Sequence, residues 1–122
     1  MLTRQDRVRK EGSEYFTWYT PVTIAGAIAT IEVAHQFPRS KKYEPLDWIE
    51  VCNNDAVDLT LIINADTFLP VPAGTIRTVD NHALWQVGIR NDDGAIDTSL
   101  NKIIVSLRRQ PITIDDWARR RK

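Results

Sequence analysis

Few side chains in this sequence are of types that carry out reactions, and their spacing decides what each can do. There is one cysteine, Cys52, and there are two histidines, His35 and His82. A catalytic thiol needs a basic neighbour or a helix N-terminus to lower its pKa. Cys52 instead ends the apolar run "LDWIEVC" and is followed by two asparagines, so it reads as a small buried hydrophobe. A metal centre needs His, Cys or carboxylates at ligand spacing. The two histidines stand far apart, one at a strand end and one in a turn, and no His-x-His…Glu pattern of the metal-binding double-stranded β-helix enzymes occurs. An enzymatic reading therefore requires His35, His82 and acidic side chains to converge on a pocket inside a β-barrel. No Gly-x-Ser-x-Gly elbow offers a serine nucleophile.

Two acidic stretches, "NNDAVD" (53–58) and "NDDGAID" (91–97), look like calcium loops but lack the alternating acid spacing and the closing glutamate. They read as turns, and the same kind of turn is used twice. "VPAGTIRT" (71–78) has one glycine where a phosphate-cradling loop needs several, and β-branched residues follow it. It too reads as a turn, with Pro72 setting the first angle and Gly74 supplying a positive φ. The residues imply no cofactor.

Aromatic and basic side chains offer recognition chemistry. Tyr15, Trp18 and Tyr19 could stack on sugar faces, with turn Asn and Asp side chains giving hydrogen bonds. Trp85 fits a core face, Trp48 shares its face with Glu50 and reads as a boundary residue, and Trp18 is open between core and interface. The tail "RRRK" (119–122) reads either as a solvated end or as an electrostatic docking tail. Only Trp117 stands among these charges, so stacking platforms for nucleic acid are poorly supported.

These residues must be positioned by strands. "YFTWYTPVTI" (15–24) is aromatic and β-branched, with Pro21 marking an edge strand or a bend. "AIATIEVAH" follows, then a loop over "FPRSKKYEP" (37–45), then the strand "LDWIEVC" (46–52). In "VDLTLIIN" (57–64), Val57, Leu59, Leu61 and Ile63 share one face, so the pattern predicts a half-buried strand. "TFLPV" and "TIRTV" (75–79) are short strands, and "DNHA" (80–83) reads as a turn. "LWQVGIR" (84–90) puts Trp85, Val87 and Ile89 on one face; "KIIVSLR" (102–108) puts Ile103, Val105 and Leu107 inward. Strands recurring at this spacing, separated by Asn/Asp/Gly/Pro turns, predict an all-β, antiparallel β-sandwich or barrel.

The chain of 122 residues is one domain by length. Its formal charge is zero, but residues 15–107 hold six basic and eleven acidic side chains, while residues 108–122 hold six basic and two acidic. The organisation expected is a polar arm over 1–14, the sandwich over 15–108 and a basic tail or short helix over 109–122. "MLTRQDRVRKEG" has no apolar core for a signal peptide, and no apolar run is long enough to span a bilayer, so neither secretion by such a signal nor a membrane partner is expected.

From Ile49 to Leu107 the order "IEVCNNDAVDLTLIIN", "VPAGTIRTVDN", "LWQVGIRND" and "KIIVSLRR" resembles small virion proteins of tailed bacteriophages. These are sandwich or jelly-roll accessory components that decorate capsids or sit at the neck, baseplate or fibre. The resemblance implies a virion location after synthesis in the host cytoplasm, protein subunits as partners, homo-oligomeric assembly and no catalysis. Independently, the two ends are poor in large apolar side chains and cannot offset their own ordering entropy against the body. They are expected to dock on neighbouring subunits. The expected interface residues are Ile112, Ile114, Trp117, Arg119, Arg120, Arg121 and Lys122, with the apolar ones anchoring more than the arginines because salt screens exposed charge. The alternatives are a carbohydrate- or ligand-binding sandwich and, third, a small β-barrel enzyme.

Overall fold

The computed structural model describes residues 12–111. Eight strands form two four-stranded antiparallel sheets. Sheet I has the order β1 (Phe16–Tyr19), β8 (Ile103–Arg108), β3 (Leu46–Asn53), β6 (Ile76–Leu84). Sheet II has the order β2 (Ile28–Glu32), β7 (Gln86–Asn91), β4 (Leu59–Ile63), β5 (Thr67–Val71). The pairs are nested: β4 with β5, β3 with β6, β2 with β7 and β1 with β8. That is a long hairpin rolled over on itself, the double-sheet jelly roll.

Alternation builds the core. The inward residues of β8 (Ile103, Val105, Leu107) meet those of β7 (Val87, Ile89) and β4 (Leu59, Leu61, Ile63), and all are essentially inaccessible. Each such side chain contributes roughly 1.5–3 kcal/mol by burial. Phe16 and Trp18 on β1 also point inward while Thr17 and Tyr19 point out. Trp18 is therefore core. The connection from β2 to β3 contains a short helix, α1 (Val33–Gln36), and then a 3-10 turn over Pro38–Tyr43 within the loop expected over 37–45. Phe37 and Tyr43 from this segment pack on Phe16, with ring centroids 5.6 and 6.3 Å away, and close one end of the sandwich.

Several expectations are corrected. "DNHA" is no turn: β6 runs through it. Asn81 takes a positive φ of 54°, and the register with β3 shifts between Leu46/Leu84 and Trp48/Asp80, so the turn-like residues make a bulge. Trp85 then sits at the corner where the chain leaves sheet I for sheet II. The corner breaks the period-two count, and Trp85 is half-exposed while Leu84 takes the core position. β4 is buried on both faces, because Thr60 and Ile62 are covered by neighbours on the outer side of sheet II. The Pro72–Thr75 turn is present, but Pro72 holds its first position and offers its carbonyl to Thr75 N (3.2 Å), with Gly74 at φ 73°.

The two Asn-rich turns are built alike. Asn53 and Asn91 end strands β3 and β7 and are buried. Asn53 Oδ1 accepts from Asp55 N (3.0 Å) and Asn91 Oδ1 from Asp93 N (2.9 Å). Asn53 Nδ2 donates to Val57 O (2.9 Å), and Asn91 Nδ2 donates to Ile96 O (2.8 Å). Each side chain satisfies buried backbone groups where the ladder stops.

The sheet bonding runs past Arg108. Ser13 N donates to Arg109 O (2.9 Å), Arg109 N to Ser13 Oγ (2.7 Å), Arg109 Nη1 to Pro45 O (2.8 Å) and Gln110 N to Asp47 Oδ1 (2.7 Å). Residues the sequence places in the arm and tail therefore belong, up to Ser13 and Gln110, to the body.

Candidate functional site: a glycine-floored hollow on sheet II

The outer face of sheet II carries one row of four aligned residues, Thr30, Gly88, Ile62 and Phe68, one from each strand. Three have side chains and Gly88 has none, so the row is interrupted by a depression. Gly88 and the buried Ile62 form its floor; Phe68 and Ile28 stand above it, 55% and 52% exposed. With Gln86 and Ala65 these residues enclose a hollow of about 310 Å³. A Cβ on Gly88 would lie 3.1 Å from Thr30 Oγ1 and 3.5 Å from Ile28 Cγ2, so the space exists because this position lacks a side chain. Glycine inside a strand weakens it, and it marks a place where another group approaches closely.

Polar groups frame the hollow. On the side towards the Trp85 corner, Gln86 Nε2 donates to Glu32 Oε1 (3.0 Å). On the other side Arg90 Nε pairs with Asp92 Oδ1 (2.8 Å), and the Thr60 hydroxyl joins them, donating to Asp92 Oδ2 (2.6 Å) and accepting from Arg90 Nη2 (3.1 Å). The arrangement suits a flat or branched apolar group, with a carboxylate on either side, Glu32 and Asp92.

The outer face of sheet I is different. Its first row is Arg108, Trp48 and Asp80, flanked by Tyr15. Arg108 lies over the Tyr15 ring at 4.6 Å, and Tyr15 meets Trp48 edge-on with centroids 5.7 Å apart. Trp48 is half-buried, the boundary position its sequence neighbours predict. Two residues along each strand is a polar row, Thr17, Ser106, Glu50 and Thr78; two further is an apolar row, Tyr19, Ile104, Cys52 and Ile76. Cys52 is thus on the outward face, half-buried, and not the core residue the sequence suggests. Burial, and then the Glu50 carboxylate 3.6 Å away, raise its thiol above the usual range. A thiol held protonated is a poor nucleophile.

The sequence-derived candidates are scattered. Tyr15 and Tyr19 are exposed, but buried Trp18 cannot complete a stacking trio with them. His35 is exposed on α1 and His82 lies half-buried on β6; neither is among the side chains packed between the sheets. Among the described residues, no three His, Cys, Asp or Glu side chains are grouped to hold a metal ion. The turn aspartates tether loops: Asp55 accepts from Ala56 N (2.7 Å) and Ser99 N (2.6 Å), Asp58 from Ala73 N (2.9 Å), and Asp97 from Ala25 N (2.9 Å). Asp93 accepts from Ala95 N and Ile96 N, both at 2.8 Å, and these bonds lower its pKa. The expected interface residues Ile112, Ile114, Trp117, Arg119, Arg120, Arg121 and Lys122 lie outside the described residues. The hollow itself went unread in the sequence; its one local signal is the glycine inside "LWQVGIR". Among the described residues no helix is long and apolar enough to cross a membrane. No protein-family model, curated protein or solved structure matches the chain.

Proposed function

We propose that the protein is a structural subunit with no catalytic role, which assembles with copies of itself as an accessory component of a tailed-bacteriophage virion. One observation carries the assembly reading: large apolar side chains are uncovered on both outer faces, Tyr19 and Ile76 on sheet I and Ile28 and Phe68 on sheet II. A monomer gains nothing by exposing such groups on opposite sides, whereas a subunit with a neighbour on each side buries them. The two surfaces differ in shape and chemistry, so the contact joining them is heterologous and builds a ring or an open array. Viral capsid domains are among the users of the jelly roll, which supports the virion assignment by analogy of fold. Light scattering after size exclusion tests the assembly, and electron microscopy of the parent particle tests its place. A strictly monomeric protein, absent from any particle, defeats the proposal.

A second reading, a carbohydrate-binding module, is favoured by the hollow alone, since Phe68 could stack on a sugar face. Glycan-array binding by the wild-type protein that disappears in Phe68→Ala would select it over assembly.

A further inference from the structure

We infer that the hollow on sheet II receives the C-terminal segment Ile112–Trp117 of a second copy of this chain. The inference rests on the assembly reading above and specifies one of its contacts.

The first argument is where the chain leaves the body. A Cβ on Gly12 would come within 2.8 Å of both Arg109 O and Pro111 N, so the two ends of the described chain lie against each other. Gln110 is bonded to Asp47 at the start of β3, so this exit point belongs to one end of sheet I. The hollow opens on the outer face of sheet II, away from that sheet. A copy stacked with its outer sheet II face towards sheet I would bring its hollow to the side of the sandwich from which this segment leaves. Eleven residues follow Pro111, enough to span roughly 36 Å when extended.

The second argument is chemical fit. Ile112 and Ile114 alternate, as a strand laid on an apolar surface requires, and Trp117 supplies a large planar group. The hollow holds about 310 Å³, the volume of roughly ten waters, between Ile28, Ile62 and Phe68. Charge agrees with this direction of docking. Residues 12–111 hold eight basic and twelve acidic side chains, and residues 112–122 hold four and two. Glu32 stands at the edge of the hollow, where the arginines after Trp117 would meet it.

Complementation tests this. One variant lacks residues 112–122 and keeps its hollow. The other, Phe68→Glu, keeps its tail and places a charge in the hollow; Ile28→Lys serves as an independent version, and both positions are exposed enough to leave the core untouched. Thermal melts establish that all three fold. Sedimentation should show association of the full chain, its loss in each variant alone, and its return when the deletion is mixed with either hollow variant, because each mixture restores one tail and one hollow. Trp117→Ala should weaken association more than about tenfold, and Arg120→Ala much less. If the full chain associates and the hollow variants associate equally well, the docking inference falls and the assembly reading stands. If the full chain is monomeric throughout, both fall. A tail that contacts its own hollow within a monomer also overturns the inference.

Discussion

Two side chains among the described residues have titration displaced, in opposite directions. Asp93 accepts two backbone N–H bonds that favour its charged form, so its folded pKa lies below its unfolded one. Its contribution to stability is full above the unfolded value and is lost as pH falls through the folded one. Asp93→Asn keeps an acceptor but removes the charge. It should therefore be less stable than the wild type at neutral pH, with the difference vanishing in acid; melts across that range measure it, and a constant difference would assign the loss to geometry alone. Cys52 is displaced the other way, by burial first and Glu50 second. Alkylation by iodoacetamide at about pH 8 should be slower than for a free thiol. Glu50→Gln removes the carboxylate's share and should speed the reaction severalfold without reaching the free rate. Equal rates in the two proteins would mean that burial alone protects the thiol.

Strands and turns put the burden on the Trp85 corner, where β6 of sheet I becomes β7 of sheet II. The bend leaves backbone groups without ladder partners, and Asn64 supplies them: its Oδ1 accepts from Trp85 N (2.8 Å) and Gln86 N (3.1 Å), and its Nδ2 donates to Ala83 O (2.8 Å). Asn64 also sits at φ 54°, a region asparagine tolerates better than alanine. Asn64→Ala should cost about 3 kcal/mol in urea unfolding, while Asn64→Gly, which relieves the angle but loses the bonds, should cost less. The strands themselves were legible wherever one face is apolar and one polar: Ile103, Val105 and Leu107 of β8 point inward as the pattern predicts, and both Asn-rich turns are present, although Asn53 and Asn91 each still belong to the strand before the turn. The corner was not, because "DNHALW" contains turn-favouring residues and the sequence cannot distinguish a turn from a bulge followed by a change of sheet. The hollow was illegible for a related reason. Period two assigns a face, not a partner, and Thr30, Gly88, Ile62 and Phe68 become one row only when four strands are in register.

Over the whole molecule, the boundary between body and ends decides what can be removed. Arg109 and Gln110 bond to Ser13, Pro45 and Asp47, so at concentrations where the full chain is dissociated a chain ending at Pro111 should melt as the full chain does. One ending at Arg108 loses these bonds and should be less stable by about 2–4 kcal/mol. Circular dichroism melts of the two truncations separate the cases, and equal melting would return Arg109 and Gln110 to the tail. The nested pairing has a further consequence, one that concerns the order of synthesis. Among the described residues, the first strand made has the last strand as its only partner: Phe16 faces Leu107 and Trp18 faces Val105. At roughly 5–20 residues per second, the ribosome needs on the order of 5–20 s to supply that partner. For that interval Phe16 and Trp18 have no β8 beside them, and β1 is a free edge offered to any other nascent copy on the same message. A jelly roll closed by its two ends thus risks mispairing while it is still being translated, most of all when many copies are made at once.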